Sequence, residues 1–390
     1  MKEQNMNSQS SYSLEYIKSL GKIKSDENLQ LLFTIFGQEH LSVDIKREVV
    51  SSIGRQQNID EIYKFISEHV FEKSTIMEYV YQMFRTCLYK QSIDNRFEKL
   101  KQRILDYYHN ECLNKMNEYY EYRQVYHKKV KNKINSPLLL VGDSEKTLLT
   151  LPENSIQLAF TSPPYYNARI YSDYHSYNDY LEKMKRVFLQ CFRVIEEGRF
   201  LIVNVSPVIT KRPGREFESI RYPIHFDFHR VLEDAGFYFV DEIIWIKPEP
   251  CVKNRIGGYQ QTRKALSYKP NCVTESIMVY RKKCSFLLDK NISEYEHYNK
   301  YIDEEIDTTN CWYISPKSDK EHPAVFPDEL CRRVLKYYSF EGDAVLDPFA
   351  GSGTFGKVAD KMQRIPVMCE MDDNYINLII GDNIDYDVRK

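Results

Sequence analysis

Two patterns of apolar residues divide the chain. Up to about residue 135 the apolar positions recur at helical spacing only. "VDIKREVVSSIGR" carries such a stripe and then a glycine where a helix would stop. "SLGKIKSDENLQLLF" (Ser19–Phe33) can be laid on "SSIGRQQNIDEIYKF" (Ser51–Phe65), so that Leu20, Gly21, Leu29 and Leu32 fall on Ile53, Gly54, Ile62 and Phe65. "STIMEYVYQMFRTCLYK" follows as a further helical unit without the glycine, and the Tyr- and Lys-rich stretch from Phe97 to Lys133 reads as one long exposed helix. From Ile134 the pattern changes. Short apolar runs ("SPLLLVGD", "SIQLAF", "GRFLIVNV", "FYFVDEIIWIK", "SIMVYRKK", "DAVLD", "IPVMCE") alternate with amphipathic helical segments. Strands alternating with helices predict an α/β fold, its mostly parallel sheet covered on both faces. The expected division is a helical domain over 1–133 and an α/β domain over 134–390.

The internal similarity near residues 20 and 53 resembles HEAT-type helical repeats, in which stacked helix pairs share an elongated core. An irregular helical bundle fits two copies equally well.

Composition narrows the class. At 42% hydrophobic and 28% charged residues the chain reads as a soluble globular protein. Apolar runs such as Leu138–Gly142 are far shorter than a membrane span, and the polar start "MKEQNMNSQSSYS" has no secretory core. Nine cysteines lie scattered with no C-x-x-C pair, so free thiols in a cytoplasmic setting are expected and a bound metal is not. A formal net charge of −2 announces no polyanionic partner. Between Lys247 and Lys283, however, nine basic residues face only Glu249 and Glu275. That excess, around "RIGGYQQTRKALSYK", predicts a phosphate-facing surface.

"VLDPFAGSGTFG" (Val345–Gly356) follows a strand and opens a helix, and Glu370 ends the next strand. Gly351, Gly353 and Gly356 satisfy the dinucleotide fingerprint, yet two features argue against NAD. Asp347-Pro348-Phe349-Ala350 intervene before the first glycine, adding a carboxylate and a ring suited to a ligand with an ammonium and an adenine. After Glu370 too little chain remains to finish the sheet, so its other strands must come from upstream. One of these leads into "FTSPPYYNAR" (Phe160–Arg169). Pro163 and Pro164 have no N–H, leaving a rim of carbonyls and the Ser162 hydroxyl that can accept hydrogen bonds from an NH₂ group. Tyr165 offers a face on which a planar base can stack. Both loops leave the carboxyl ends of strands, where open α/β sheets bind ligands, so they should face one crevice.

Together these residues resemble the beta class of DNA amino-methyltransferases, which use S-adenosylmethionine to methylate N4 of cytosine or N6 of adenine. "TSPPY" (Thr161–Tyr165) is similar to the catalytic motif of that family and "DPFAGSGT" (Asp347–Thr354) to its cofactor motif. "HPAVFP" (His322–Pro327) and "GDS" (Gly142–Ser144) match flanking segments. Catalytic motif first and cofactor motif last is the circularly permuted order of the class, and the resemblance spans about Ile134 to Ile380. It implies a permuted Rossmann-like methyltransferase fold behind the helical domain. Ser162, Pro163, Pro164 and Tyr165 would hold and stack a flipped base. Phe349, Gly351, Ser352 and Gly353 would cradle the cofactor, with Asp347 near its methionine end and Glu370 on its ribose. Asp143 would contact the adenine, in preference to Asp382, and His322 and Phe326 would line the methionine pocket. A serine heading the motif is, in that family, the usual sign of N4-cytosine. That base is therefore expected, with N6-adenine the alternative.

Extruding a base from duplex DNA costs a few kcal/mol of stacking, which other contacts must offset. The segment from Lys247 to about Cys311 is the expected recognition region, with Arg255, Arg263, Lys264 and Lys269 as DNA contacts. Lys211, Arg212 and Arg215 would add to that face. Double-stranded DNA is thus the expected partner, with a restriction-modification role. A further protein or a second copy would meet the N-terminal helices. The rival readings are an RNA-base methyltransferase and a non-catalytic scaffold.

Overall fold

The structure is a computed structural model that describes residues 12–126, 134–166, 174–209, 214, 216–217, 220–252, 270–282, 305–316 and 326–390. The chain forms two compact units, residues 1–129 and 130–390.

The first unit contains α1 (Leu14–Lys22), α2 (Asp26–Phe36), α3 (Val43–Gly54), α4 (Ile59–His69), α5 (Met77–Lys90), α6 (Asn95–Tyr108) and α7 (Glu111–Tyr126). Ser13, Ser25, Ser42, Asn58 and Asp94 start five of these by accepting a first-turn N–H. Helix α1 packs on α3, α3 on α5 and α5 on α7, while α4 packs on α6. The contacts recur along the chain. A β-carbon on Gly21 would meet Ser52 of α3, and one on Gly54 would meet Thr86 of α5. The buried Gln56 side chain donates to the Leu20 and Ile23 carbonyls at the end of α1. One step later, the ammonium of the buried Lys90 donates to the Gln56 carbonyl at 2.9 Å, at the end of α3. In each case a donor from the next unit satisfies carbonyls that a helix end leaves open. Gly54→Val should therefore destabilise this unit by about 1–3 kcal/mol through overpacking. Thermal melting followed by circular dichroism checks it, and an unshifted transition would show that α3 and α5 can separate freely.

The single long helix expected from Phe97 is instead two. His109 takes a left-handed conformation (φ 46°) and ends α6. Phe97, Leu100 and Ile104 are core residues of α6, and Leu113 of α7. Tyrosine and lysine density hides that stripe, and the helix break uses no glycine.

In the second unit, β1 (Leu138–Val141), β2 (Ile156–Thr161), β3 (Ile195–Val205), β6 (Phe237–Ile246), β7 (Thr274–Lys282), β8 (Cys311–Tyr313), β9 (Ala344–Asp347), β10 (Ile365–Glu370) and β11 (Asp387–Arg389) build one sheet. Its order is β11-β1-β10-β9-β2-β3-β7-β6-β8. Neighbours from β11 to β3 are parallel, whereas β7 runs antiparallel to both β3 and β6. A two-stranded ribbon, β4 (Val208–Ile209) with β5 (Arg221–Tyr222), stands apart. On one face α9 (Tyr177–Val194) and α10 (Ile224–Asp234) bury Tyr180, Phe188 and Phe228. On the other, the helices Asp328–Tyr338 (α11) and Thr354–Lys361 (α12) bury Leu330, Val334 and Phe355. This is the mostly parallel α/β architecture, covered on both faces, that the alternation of strands and helices predicts. The short helices Ser144–Thr147 (α8) and Asp373–Ile380 (α13) complete it. One expectation changes: β11, within the last residues, adds a downstream edge strand beside β1.

The basic run is also revised. Lys247, Arg281 and Lys282 are not surface charges. Arg281 and Lys282 are buried, and Lys282 donates to the Ile195 carbonyl at 2.6 Å. Strand β7 occupies part of the expected recognition segment as an interior strand of the sheet. Arg255, Arg263, Lys264 and Lys269, with Lys211, Arg212, Arg215 and His322, lie outside the described residues. No described helix is long and apolar enough to cross a membrane.

Candidate active site

Strands β2 and β9 are parallel neighbours, pairing Leu158 with Val345 and Ala159 with Leu346. Their ends are joined by a hydrogen bond from Thr161 Oγ1 to Asp347 Oδ1 at 2.7 Å. The double-proline loop and the glycine loop therefore leave the same edge of the sheet. The helix after β2 covers one face and the helix after β9 the other, so a crevice opens where the two connections part.

Asp347 is buried, and one carboxylate oxygen accepts both from Thr161 and from the Phe349 N–H at 3.0 Å. Burial pushes its pKa up to about 7. Gly351 and Gly353 both adopt left-handed conformations (φ 52° and 77°), which glycine alone adopts without strain. A β-carbon on Gly353 would strike Ile379, whereas one on Gly351 would meet nothing within 4 Å. Gly351 thus faces open space, while Gly353 backs onto the core. The Gly351 N–H donates to Glu370 Oε2 at 2.7 Å, and Glu370 Oε1 accepts from the Met371 and Asp372 N–H groups. Burial raises the Glu370 pKa, and these backbone donors oppose the rise. Phe349 packs partly buried against the core, and Ser352 Oγ lies 3.4 Å from Thr354 Oγ1.

Strand β1 brings "GDS" to the same place. Val141 pairs with Glu370, Gly142 N–H donates to the Glu370 carbonyl at 2.8 Å, and Ser144 Oγ donates to the Pro348 carbonyl. Asp143 caps α8, and both its oxygens are held by Lys183, at 2.8 and 2.6 Å. It stands beside the glycine loop with its charge already matched. Asp382 lies behind Gly353 and pairs with Lys357 at 2.9 Å. Phe326 stacks on Phe160, centroids 4.6 Å apart, beneath the end of β2.

Ser162, Pro164 and Tyr165 are half-buried and Pro163 is buried. The Tyr165 hydroxyl lies among Ser162, Ser206 and Glu275, the last at 3.3 Å, and burial beside the Glu275 carboxylate raises its pKa well above the usual tyrosine range. Glu275, at the start of β7, also binds the Asn204 side-chain amide and the Lys247 ammonium. Lys247 in turn lies over the Trp245 ring. In the sequence the group as a whole is invisible, Glu275 being only an acid within a basic run. Its isolation there was the available signal. Among the described residues no cluster of His, Cys, Asp and Glu is placed to hold a metal ion.

The chain is 28% identical over 252 residues to the Type II methyltransferase M.HpaI of Haemophilus parainfluenzae, covering 62% of this chain and 72% of that one. It is 27% identical over 251 residues to the Type II beta methyltransferase M.BslI of Bacillus sp. strain NEB-606, spanning 62% of this chain and only 27% of that relative. Among solved structures, the cytosine-N4-specific PvuII DNA methyltransferase superposes with a TM-score of 0.48 at 18% identity, over 67% of this chain and 92% of that one. The N6/N4 family model described as DNA methylase matches residues 156–381, more than half of the chain. With both motif loops inside that match, the chain belongs to the N6/N4 DNA methylase family.

Proposed function

We propose that this protein transfers a methyl group from S-adenosylmethionine to N4 of a flipped cytosine in duplex DNA. The observation that carries this reading is the Thr161–Asp347 hydrogen bond, which sets a donor-poor loop beside a glycine loop at one sheet edge. The glycine loop fits the cofactor. Asp347 is a buried carboxylate whose raised pKa marks a site that a cation would favour, and Gly351 faces open space. Asp347 would hold the ammonium, Glu370 the ribose hydroxyls, and Phe349, Gly351, Ser352 and Gly353 the rest of the cradle. Asp143 would support the adenine end through backbone more than through its carboxylate, which Lys183 holds. When bound, the cofactor supplies a methyl carbon made electrophilic by positive sulfur. Ser162 and the carbonyls of the Pro163–Pro164 loop hold both amine protons, which turns the nitrogen lone pair out of conjugation. Tyr165 stacks on the ring. Arg255, Arg263, Lys264 and Lys269 are read as DNA contacts, and the N-terminal helices as a HEAT-like array for a partner protein or a second copy. The recurrence of the Gln56 and Lys90 contacts supports that array.

The test is incubation of the chain with labelled cofactor and mixed-sequence DNA, followed by sequencing that reports modified bases directly. N4-methylcytosine in one sequence context is expected, and a Ser162→Ala/Tyr165→Ala variant should leave none. Label on adenine would move the assignment to N6, and label on RNA alone would overturn it.

A further inference from the structure

Resting on the function just proposed, we propose that Glu275 accepts the proton released by methyl transfer, acting through Tyr165 and Ser162. When the amine nitrogen bonds the methyl carbon, the electron pair of the broken C–S bond stays on sulfur. The nitrogen then carries a methyl and two protons, one of which must leave. A hydroxyl and two proline carbonyls can accept its hydrogen bonds but cannot keep the proton, since a protonated hydroxyl is a stronger acid than a carboxylic acid. The motif begins with serine, so it contains no carboxylate. Glu275 provides one from another strand.

Tyr165 joins the loop to the carboxylate. The Tyr165 hydroxyl donates to Glu275 Oε2 at 3.3 Å, and Ser162, three residues earlier in the same loop, lies beside that hydroxyl together with Ser206. Ser162 takes the amine proton and gives its own hydrogen to Tyr165. Tyr165 passes its hydrogen to Glu275, so each hydroxyl ends with one hydrogen and the carboxylate with one more. Asn204 and Lys247 hold Glu275 in place, and its side chain is only 13% exposed. Once product leaves, the proton returns to water. Glu275 is thus a positioning and proton-accepting residue that does not touch the base.

Single-turnover methylation of a duplex carrying the mapped site tests this, with cofactor and DNA affinities measured alongside. General-base assistance contributes about 10²–10⁴-fold, so Glu275→Gln should slow the step at least about 100-fold with both affinities within about threefold of wild type. Glu275→Asp discriminates roles. A purely structural site would prefer the isosteric glutamine, whereas a proton acceptor prefers the shorter acid, so the Asp variant should outpace the Gln variant. Tyr165→Phe, which keeps the ring and the Glu275–Lys247 pair, should be as slow as Glu275→Gln, and the double variant no slower than either. If the Gln variant does not fold, the Phe variant decides. A Gln variant faster than Asp, a Phe variant at wild-type rate, or independent multiplying losses each overturn the assignment. Wild-type chain runs in parallel: if it methylates and Glu275→Gln is undiminished, only this assignment fails. If wild type methylates no DNA, the proposed function fails and this falls with it.

Discussion

Asp347→Asn should bind S-adenosylmethionine about 10- to 100-fold more weakly, yet melt at a higher temperature at pH 8. Both effects follow from one carboxyl group. Its two hydrogen bonds end on a single oxygen, which asparagine reproduces. The folded pKa stands near 7 against an ordinary value of 3.8. Below 3.8 the group is protonated whether the chain is folded or not, and stability is unaffected. As pH rises toward 7 the unfolded chain gives up this proton while the folded one keeps it, so stability falls. Above 7 the loss levels off on the order of 4 kcal/mol. Asparagine escapes that loss. The cofactor ammonium instead favours the ionised carboxylate, so wild-type affinity should rise from pH 5 to 7 while that of the variant stays flat. Calorimetric titrations and melting curves at both ends of the range measure this. Equal cofactor affinity in the two proteins would remove Asp347 from the binding site.

Gly351→Val should nearly abolish cofactor binding, weakening it at least about 100-fold, while the protein still folds. A left-handed conformation costs an L-residue about 1–2 kcal/mol, and more when the side chain is β-branched. The larger part of the effect is steric. Nothing stands in front of a β-carbon at this position, so the valine branches project into the space the loop opens onto. The contrast with Gly353→Val is informative. There the added carbons strike Ile379, so the fold suffers with the site. Melting curves should place Gly351→Val modestly below wild type, by the backbone cost alone, and Gly353→Val well below that. Wild-type cofactor affinity in Gly351→Val would falsify the placement of the ligand in front of this loop.

The residues that mark the candidate site in the sequence are those whose spacing is fixed by one loop. "TSPPY" and "DPFAGSGT" each carry their chemistry within eight consecutive positions, and the alternation of apolar runs placed both at strand ends. A shared crevice followed from both loops leaving the carboxyl ends of strands, whereas the direct pairing of β2 with β9 is visible only in the fold. What escaped notice was assembled from single residues far apart. Glu275, Asn204 and Lys247 come from three strand ends and share no local pattern. Lys247 looks like a surface charge in the sequence because composition cannot distinguish a solvated lysine from one neutralised inside. Strands β8 and β11, three residues each, are too short for any period to appear. The turn at His109 used a left-handed non-glycine residue, so no breaker marked it.

Strand β9 lies between β2 and β10, and 186 residues separate Thr161 from Asp347. During synthesis the double-proline loop is therefore made long before the strand that will support it. Strand β1 likewise waits for β10, its parallel neighbour, from much farther along. Pairings of such long range close slowly. A ribosome-bound chain that has not yet made β9 has a sheet whose two early portions cannot be joined. It is a catalytically silent intermediate, and on this ground the enzyme should gain activity in one late step rather than gradually as the chain lengthens.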